Sequence, residues 1–165
     1  MSTNSGPAGH RGPYRGAAAL AIDGHEPWSL ERLIDTDGGR WSRSDEATIY
    51  LASDPGVALA EFGRHVPGNG ARVDGALWTV DVALEDIVDL RDTSDVDLLD
   101  QGRCRAIAAA WRRAGVPGLI VPSVAFLDHP DRFNLVVFPD LLGSRLSDVI
   151  RSPQRLAAIV QESRE

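Results

Sequence analysis

The sequence predicts a single α+β domain built on a mixed or largely antiparallel central sheet with flanking helices. Strand-like runs are short and are interrupted by helices and long irregular stretches, and the regular strand–helix alternation of a doubly wound sheet is missing. No repeat or linker divides the 165 residues, a length that suits one core.

Residues 1–12 are rich in Ser, Gly and Pro without periodicity, which predicts a loose tail ahead of a domain over 13–165. Residues 14–22 (YRGAAALAI) form the first strand candidate, with Arg15 its charge. Residues 23–39 mix Gly, Pro and acids, with a short helix ERLI capped by Ser29. The run 48–52 (TIYLA) is a strand. Ser53 and Asp54 ahead of Pro55 open a helix that runs to about His65 and stops before Pro67 and Gly68. On that helix Val57, Ala60, Glu61 and Arg64 share a face.

Residues 76–84 alternate Trp78, Val80 and Val82 against Leu77, Thr79 and Asp81, the mark of a half-buried strand. Residues 87–90 extend it or form another, and 93–102 are an acidic connection with a helical turn. Ala and Arg make 103–114 a helix, stopped by Gly115 and Pro117. The apolar run 118–122 (GLIVP) reads as a buried strand ending at Ser123, and 133–138 (FNLVVF) as another. Ser152 is read as the cap of a last helix from 153 to about 162.

Charge narrows the function classes. The net charge of -7 argues against general affinity for nucleic acid, which needs a basic face. All 17 basic residues are Arg, so any anion site must use guanidinium forks, which suit phosphate and carboxylate. The lone Cys104 allows no internal disulfide. No signal peptide follows Met1, and no apolar run approaches the ~20 residues that span a bilayer. A soluble cytoplasmic protein without membrane contact is the expectation.

Several residues are candidates for chemistry. Glu61 stands on an Ala-rich helical face; if that face is buried, the charge needs a partner or a job, and otherwise it is a surface residue pairing with Arg64 or His65. Arg15 interrupts an apolar strand and Arg40 sits in a Gly-rich turn, where each fits either a phosphate or a structural ion pair. Tyr50 reads as a ligand platform or a core aromatic. Ser123 has no Gly-x-Ser-x-Gly elbow around it, so it is not read as a hydrolase nucleophile. Asp128, His129 and Asp131 lack a ligand spacing and read as a polar turn, so no metal is expected. Walker and dinucleotide glycine fingerprints are absent.

An ordered set of short motifs resembles the RES-domain family: YR at 14–15, GGRW at 38–41, IYLAS at 49–53, ALAEFGRH at 58–65, VPS at 121–123 and NLVVFP at 134–139. The family's Arg, Glu and Ser would be Arg15, Glu61 and Ser123. Two departures stand out: the family commonly has Asn after Arg-Trp where this chain has Ser42, and Asn before the last Pro where it has Phe138. The resemblance implies an ADP-ribosyltransferase-like fold and a toxin paired with a separate Xre-like antitoxin, as a homodimer or a toxin–antitoxin hetero-oligomer. NAD+ is the implied substrate, cleaved between nicotinamide and ribose by hydrolysis or phosphorolysis. Transfer of ADP-ribose to a specific protein, or a RES-like domain that only binds, are the alternatives. In this reading Glu61 stabilises the ribose cation, Arg15 and Arg40 grip the pyrophosphate, Tyr50 stacks on nicotinamide and Ser123 orients the ribose or amide.

Overall fold

The computed structural model describes residues 9–24, 28–64, 72–92 and 97–162. In chain order the elements are β1 (His10–Asp23), a 3-10 turn (Leu30–Leu33), β2 (Ile34–Asp35), β3 (Thr48–Ala52), α1 (Pro55–Arg64), β4 (Arg72–Asp89), α2 (Gln101–Arg113), β5 (Gly118–Pro122), β6 (Phe133–Val137), α3 (Leu146–Val149) and β7 (Ile150–Glu162). They form one domain around a seven-stranded sheet in the order β1-β3-β6-β5-β4-β7, with β2 beside β3. The β4–β5 pairing is parallel and the others are antiparallel, so the sheet is mixed as the sequence predicts.

β1 also pairs with β4, from His10↔Asp89 to Asp23↔Gly75. That pairing closes β1, β3, β6, β5 and β4 into a ring. Two of its seams are short: β1 meets β3 through Ala19↔Ala52, and β4 meets β5 through Val88↔Leu119 and Asp89↔Ile120.

The apolar pattern explains why β6 lies at the centre. Leu135 and Val137 enter one buried cluster with Leu20, Ile49, Leu51, Val80 and Val82, whereas Val136 and Phe138 enter another with Leu119, Val121, Cys104 and Trp41. A strand covered on both faces reads as a continuous apolar run. The second cluster is roofed by α2, which starts at Asp100, whose carboxylate accepts from the Arg103 N–H at 3.0 Å. Arg112 pins the far end of α2 to β3: it donates to the Thr48 hydroxyl at 3.1 Å and lies 4.1 Å from the Phe138 ring centroid.

α1 covers a third cluster of Ala19, Ala52, Val57, Ala58, Leu77 and Ile159. Of the two cap candidates, Ser53 and Asp54, the helix uses Asp54. Asp54 accepts from the Val57 N–H at 3.0 Å, while the Ser53 hydroxyl turns away to accept the Phe133 N–H of β6. Ser29 occupies the cap position of the 3-10 turn but makes no side-chain cap bond. The segment 87–89 continues β4 rather than forming a separate strand.

Two expectations need correction. Residues 153–162 are strand, not helix: β7 pairs antiparallel with β4 from Val82↔Ile150 to Arg72↔Glu162. Ser152 is no helix cap; it has φ +55 where the register shifts between Thr79 and Asp81, the geometry of a bulge. β1 also begins at His10, inside the stretch read as a tail; residues 1–8 lie outside the described residues. The same holds for His65 and for 93–96 of the acidic connection.

Candidate active site

α1 brings Glu61 to the sheet. Val57 and Ala58 are buried and Glu61 and Phe62 follow one turn later, half-buried, so the carboxylate leaves from the packed face of the helix. Arg64, expected on the same face, is exposed. Ser123 meets Glu61 from the opposite side. It follows β5, is fully buried, and its hydroxyl donates to Glu61 Oε1 at 2.8 Å while accepting the Ala125 N–H. Asn134 of β6 donates through Nδ2 to the same Oε1 at 3.5 Å.

Glu61 and Asn134 open onto a cleft of about 670 Å³, with Ser123 buried behind them. β1 contributes Ala19–Asp23 to its wall, β3 contributes Tyr50, Leu51 and Ala52, and α1 contributes Ala58, Glu61 and Phe62. Arg32, Leu33 and Asp35 come from the irregular segment after β1. A carboxylate is therefore held by neutral donors beside a wall that is apolar along β1, β3 and α1 and charged at Asp23, Arg32 and Asp35, where its own charge acts on whatever binds beside it.

Tyr50 lines the cleft and is anchored from behind. Its hydroxyl shares a 2.7 Å hydrogen bond with the buried Ser42 hydroxyl and accepts the Trp41 N–H at 3.3 Å. Burial pushes the phenol pKa up, against the opposing pull of those bonds. The Gly-Gly-Arg-Trp turn exists to allow this approach: Gly38 has φ +92, and a Cβ on Gly39 would stand 2.6 Å from the Tyr50 hydroxyl. Ser42, the departure from the family pattern, is part of the Tyr50 anchor.

Glu61 and Tyr50 thus line one cleft. Ser123, fully buried, does not line it and reaches it only through its bond to Glu61, which does not fit direct orientation of a ribose or amide. Arg15 and Arg40 do not line it either. Arg15 is exposed on β1 and pairs with Glu85 at 3.0 Å, beside a separate cavity of about 420 Å³. Its placement there does not fit the expected pyrophosphate grip beside Glu61; the reading as a surface ion pair does. Arg40 turns toward α2 and donates to the Leu98 carbonyl, and Arg105 of α2 donates to the Gly39 carbonyl. It is a strut of the turn, not a cleft residue.

Sequence reasoning missed other lining groups. Arg32 is the cation among the residues lining the cleft, and it donates to the Asp23 carbonyl at 2.8 Å. Asp23 and Asp35 share the wall. These residues fall in a stretch without periodicity, so no pattern set them apart. Asn134 carried a signal, a lone amide at the head of the apolar run of β6. Among the described residues no group of three or more His, Cys, Asp or Glu is placed to hold a metal ion.

A single mixed-sheet domain with a helix-borne glutamate bonded to a strand-end serine over a cleft agrees with a family match. The model of the RES domain matches residues 13–158, and the chain belongs to the RES-domain family. A chain in the crystal structure of the M. tuberculosis MbcT-MbcA toxin-antitoxin complex is similar in fold, at TM-score 0.60 and 18% identity, covering 88% of this chain and 86% of that one. No curated protein matches the chain.

Proposed function

We propose that this protein is a toxin that consumes NAD+ by breaking the bond between nicotinamide and ribose, and that a separate Xre-type antitoxin restrains it in the cytoplasm. The observation that carries the reading is Glu61 in the wall of the cleft, its carboxylate held from behind by the hydrogen bond from buried Ser123. Membership of the RES-domain family supports the reaction class, and the likeness to a toxin-antitoxin structure supports the partner.

In the proposed reaction the C1′–N bond breaks with its electron pair leaving on the pyridine nitrogen, so nicotinamide departs neutral. A positive charge develops on the ribose at C1′, and the Glu61 carboxylate stabilises it, as carboxylates do in glycoside cleavage. Water or phosphate then attacks C1′, and the proton of an attacking water passes to solvent. The Tyr50 ring takes the nicotinamide face. With Arg15 and Arg40 outside the cleft, Arg32 takes the pyrophosphate, and Asp23 and Asp35 accept from ribose hydroxyls.

The test incubates purified protein with NAD+, with and without phosphate and with cell lysate, and follows nicotinamide release, the ADP-ribose product and label on protein. Nicotinamide release with free or phosphorylated ADP-ribose is expected. Label on one protein band would redirect the proposal to transfer, and no NAD+ loss in any condition would overturn it. Glu61→Gln keeps the side-chain shape and an acceptor for Ser123 but removes the charge, so kcat should fall by roughly 100-fold or more with the melting temperature within a few degrees of wild type.

A further inference from the structure

Asn134 interrupts an apolar strand at the point where β6 faces Glu61. Leu135, Val136, Val137 and Phe138 after it are all buried, and its backbone is paired on both sides, with Ala52 of β3 and Val121 of β5. Its side chain is therefore aimed by the sheet and not by a loop. Its Nδ2 donates to Glu61 Oε1, the oxygen that also receives the Ser123 hydroxyl. Among the described residues Oε2 accepts no hydrogen bond. The charged groups that line the same cleft are Asp23, Arg32 and Asp35.

We propose that Asn134 is a positioning residue: with Ser123 it pins Oε1 and so presents Oε2 as the oxygen that meets the ribose cation. The inference rests on the NAD+-cleaving reading of the site. An amide suits this task better than a cation would. Arg or Lys at 134 would also orient the carboxylate, but its charge would oppose the cation forming on the ribose, whereas a neutral donor fixes direction and leaves the negative charge intact.

The test compares wild type with Asn134→Ala and Asn134→Asp. Loss of the pin in Asn134→Ala should lower kcat roughly 10- to 100-fold with KM within about twofold, because a misdirected group costs rate more than binding. The near-isosteric Asn134→Asp places a second carboxylate against Glu61, and like charges favour protonation. The acid limb of its kcat–pH profile should move up by about one unit or more. A residue that merely holds the strand would lower the melting temperature and leave that limb in place.

An unmoved limb in Asn134→Asp, or wild-type kcat in Asn134→Ala, overturns the proposal. If wild type itself consumes no NAD+, the reaction reading fails separately. The contact is then judged by the Glu61 carboxyl signal in carbon NMR: a midpoint raised in Asn134→Asp supports the pin, and an unchanged one overturns it.

Discussion

Tyr50 has two ends with separate duties, and they can be separated by mutation. The ring lines the cleft while the hydroxyl closes the Gly-Gly-Arg-Trp turn through Ser42 and Trp41. Tyr50→Phe keeps the ring and orphans the buried Ser42 hydroxyl, so it should cost about 1–3 kcal/mol of stability, read as a lowered urea midpoint, with KM for NAD+ little changed. A large rise in KM with no stability loss would show that the hydroxyl serves the ligand instead. Residue by residue, the site was half legible. Glu61 was visible because a carboxylate stood on an Ala-rich helical face, whereas Ser123 was marked by the family resemblance and not by its local pattern. Arg15 was visible as a cation in an apolar strand and Arg40 as one in a Gly-rich turn, yet pattern does not say which way either side chain leaves the backbone. A register shift between Gly12 and Tyr14 resets the alternation just before Arg15, which stands opposite Ala83 of β4 and reaches the exposed Glu85. Arg32 and Asp35 had no period to mark them at all.

Among the elements, β7 is where local preference lost to tertiary pairing. Gln, Arg, Leu and Ala are good helix formers, and 153–162 is full of them. Pro153 behind Ser152 even suits a helix start; against them stood the long unpaired flank of β4, which gains a ladder from an extended partner. The helices α1 and α2 were legible because their caps and stops agree with their composition; nothing local marked β7 as a strand. Its anchoring is nevertheless strong at two points, Ile150 in the first cluster and Ile159 in the third, where it packs with Val57, Ala58 and Leu77 under α1. Ile159→Ala should therefore cost about 2–4 kcal/mol, measured by urea unfolding. A loss below about 1 kcal/mol would mean that β7 is dispensable to the cluster beneath α1.

At the scale of the whole molecule, the ring is held where β4 ends. Arg91 binds Asp89 at 2.7 Å, donates to the Pro130 carbonyl, and lies 4.4 Å from the Phe133 ring centroid, so one side chain ties β4 to the segment entering β6. Burial disfavours the charged Asp89, but the hydrogen bonds and charge of Arg91 outweigh it and hold the carboxyl below its usual range. A depressed folded pKa gives stability that is present above the unfolded value and lost as pH falls through the folded one. Wild type should lose stability below about pH 4, and Asp89→Asn should be weaker at neutral pH with a flatter acid limb in thermal melts. At the other seam, β1 and β3 touch through Ala19 and Ala52, and both line the cleft. The cleft wall is thus also the thinnest stitch in the ring, and parting the two strands and widening the slot are one movement. A bound dinucleotide spanning both would act as a suture. Amide exchange at Ala52 should slow on NAD+ binding to Glu61→Gln, while the β1–β4 ladder away from Ala19 is left almost unchanged.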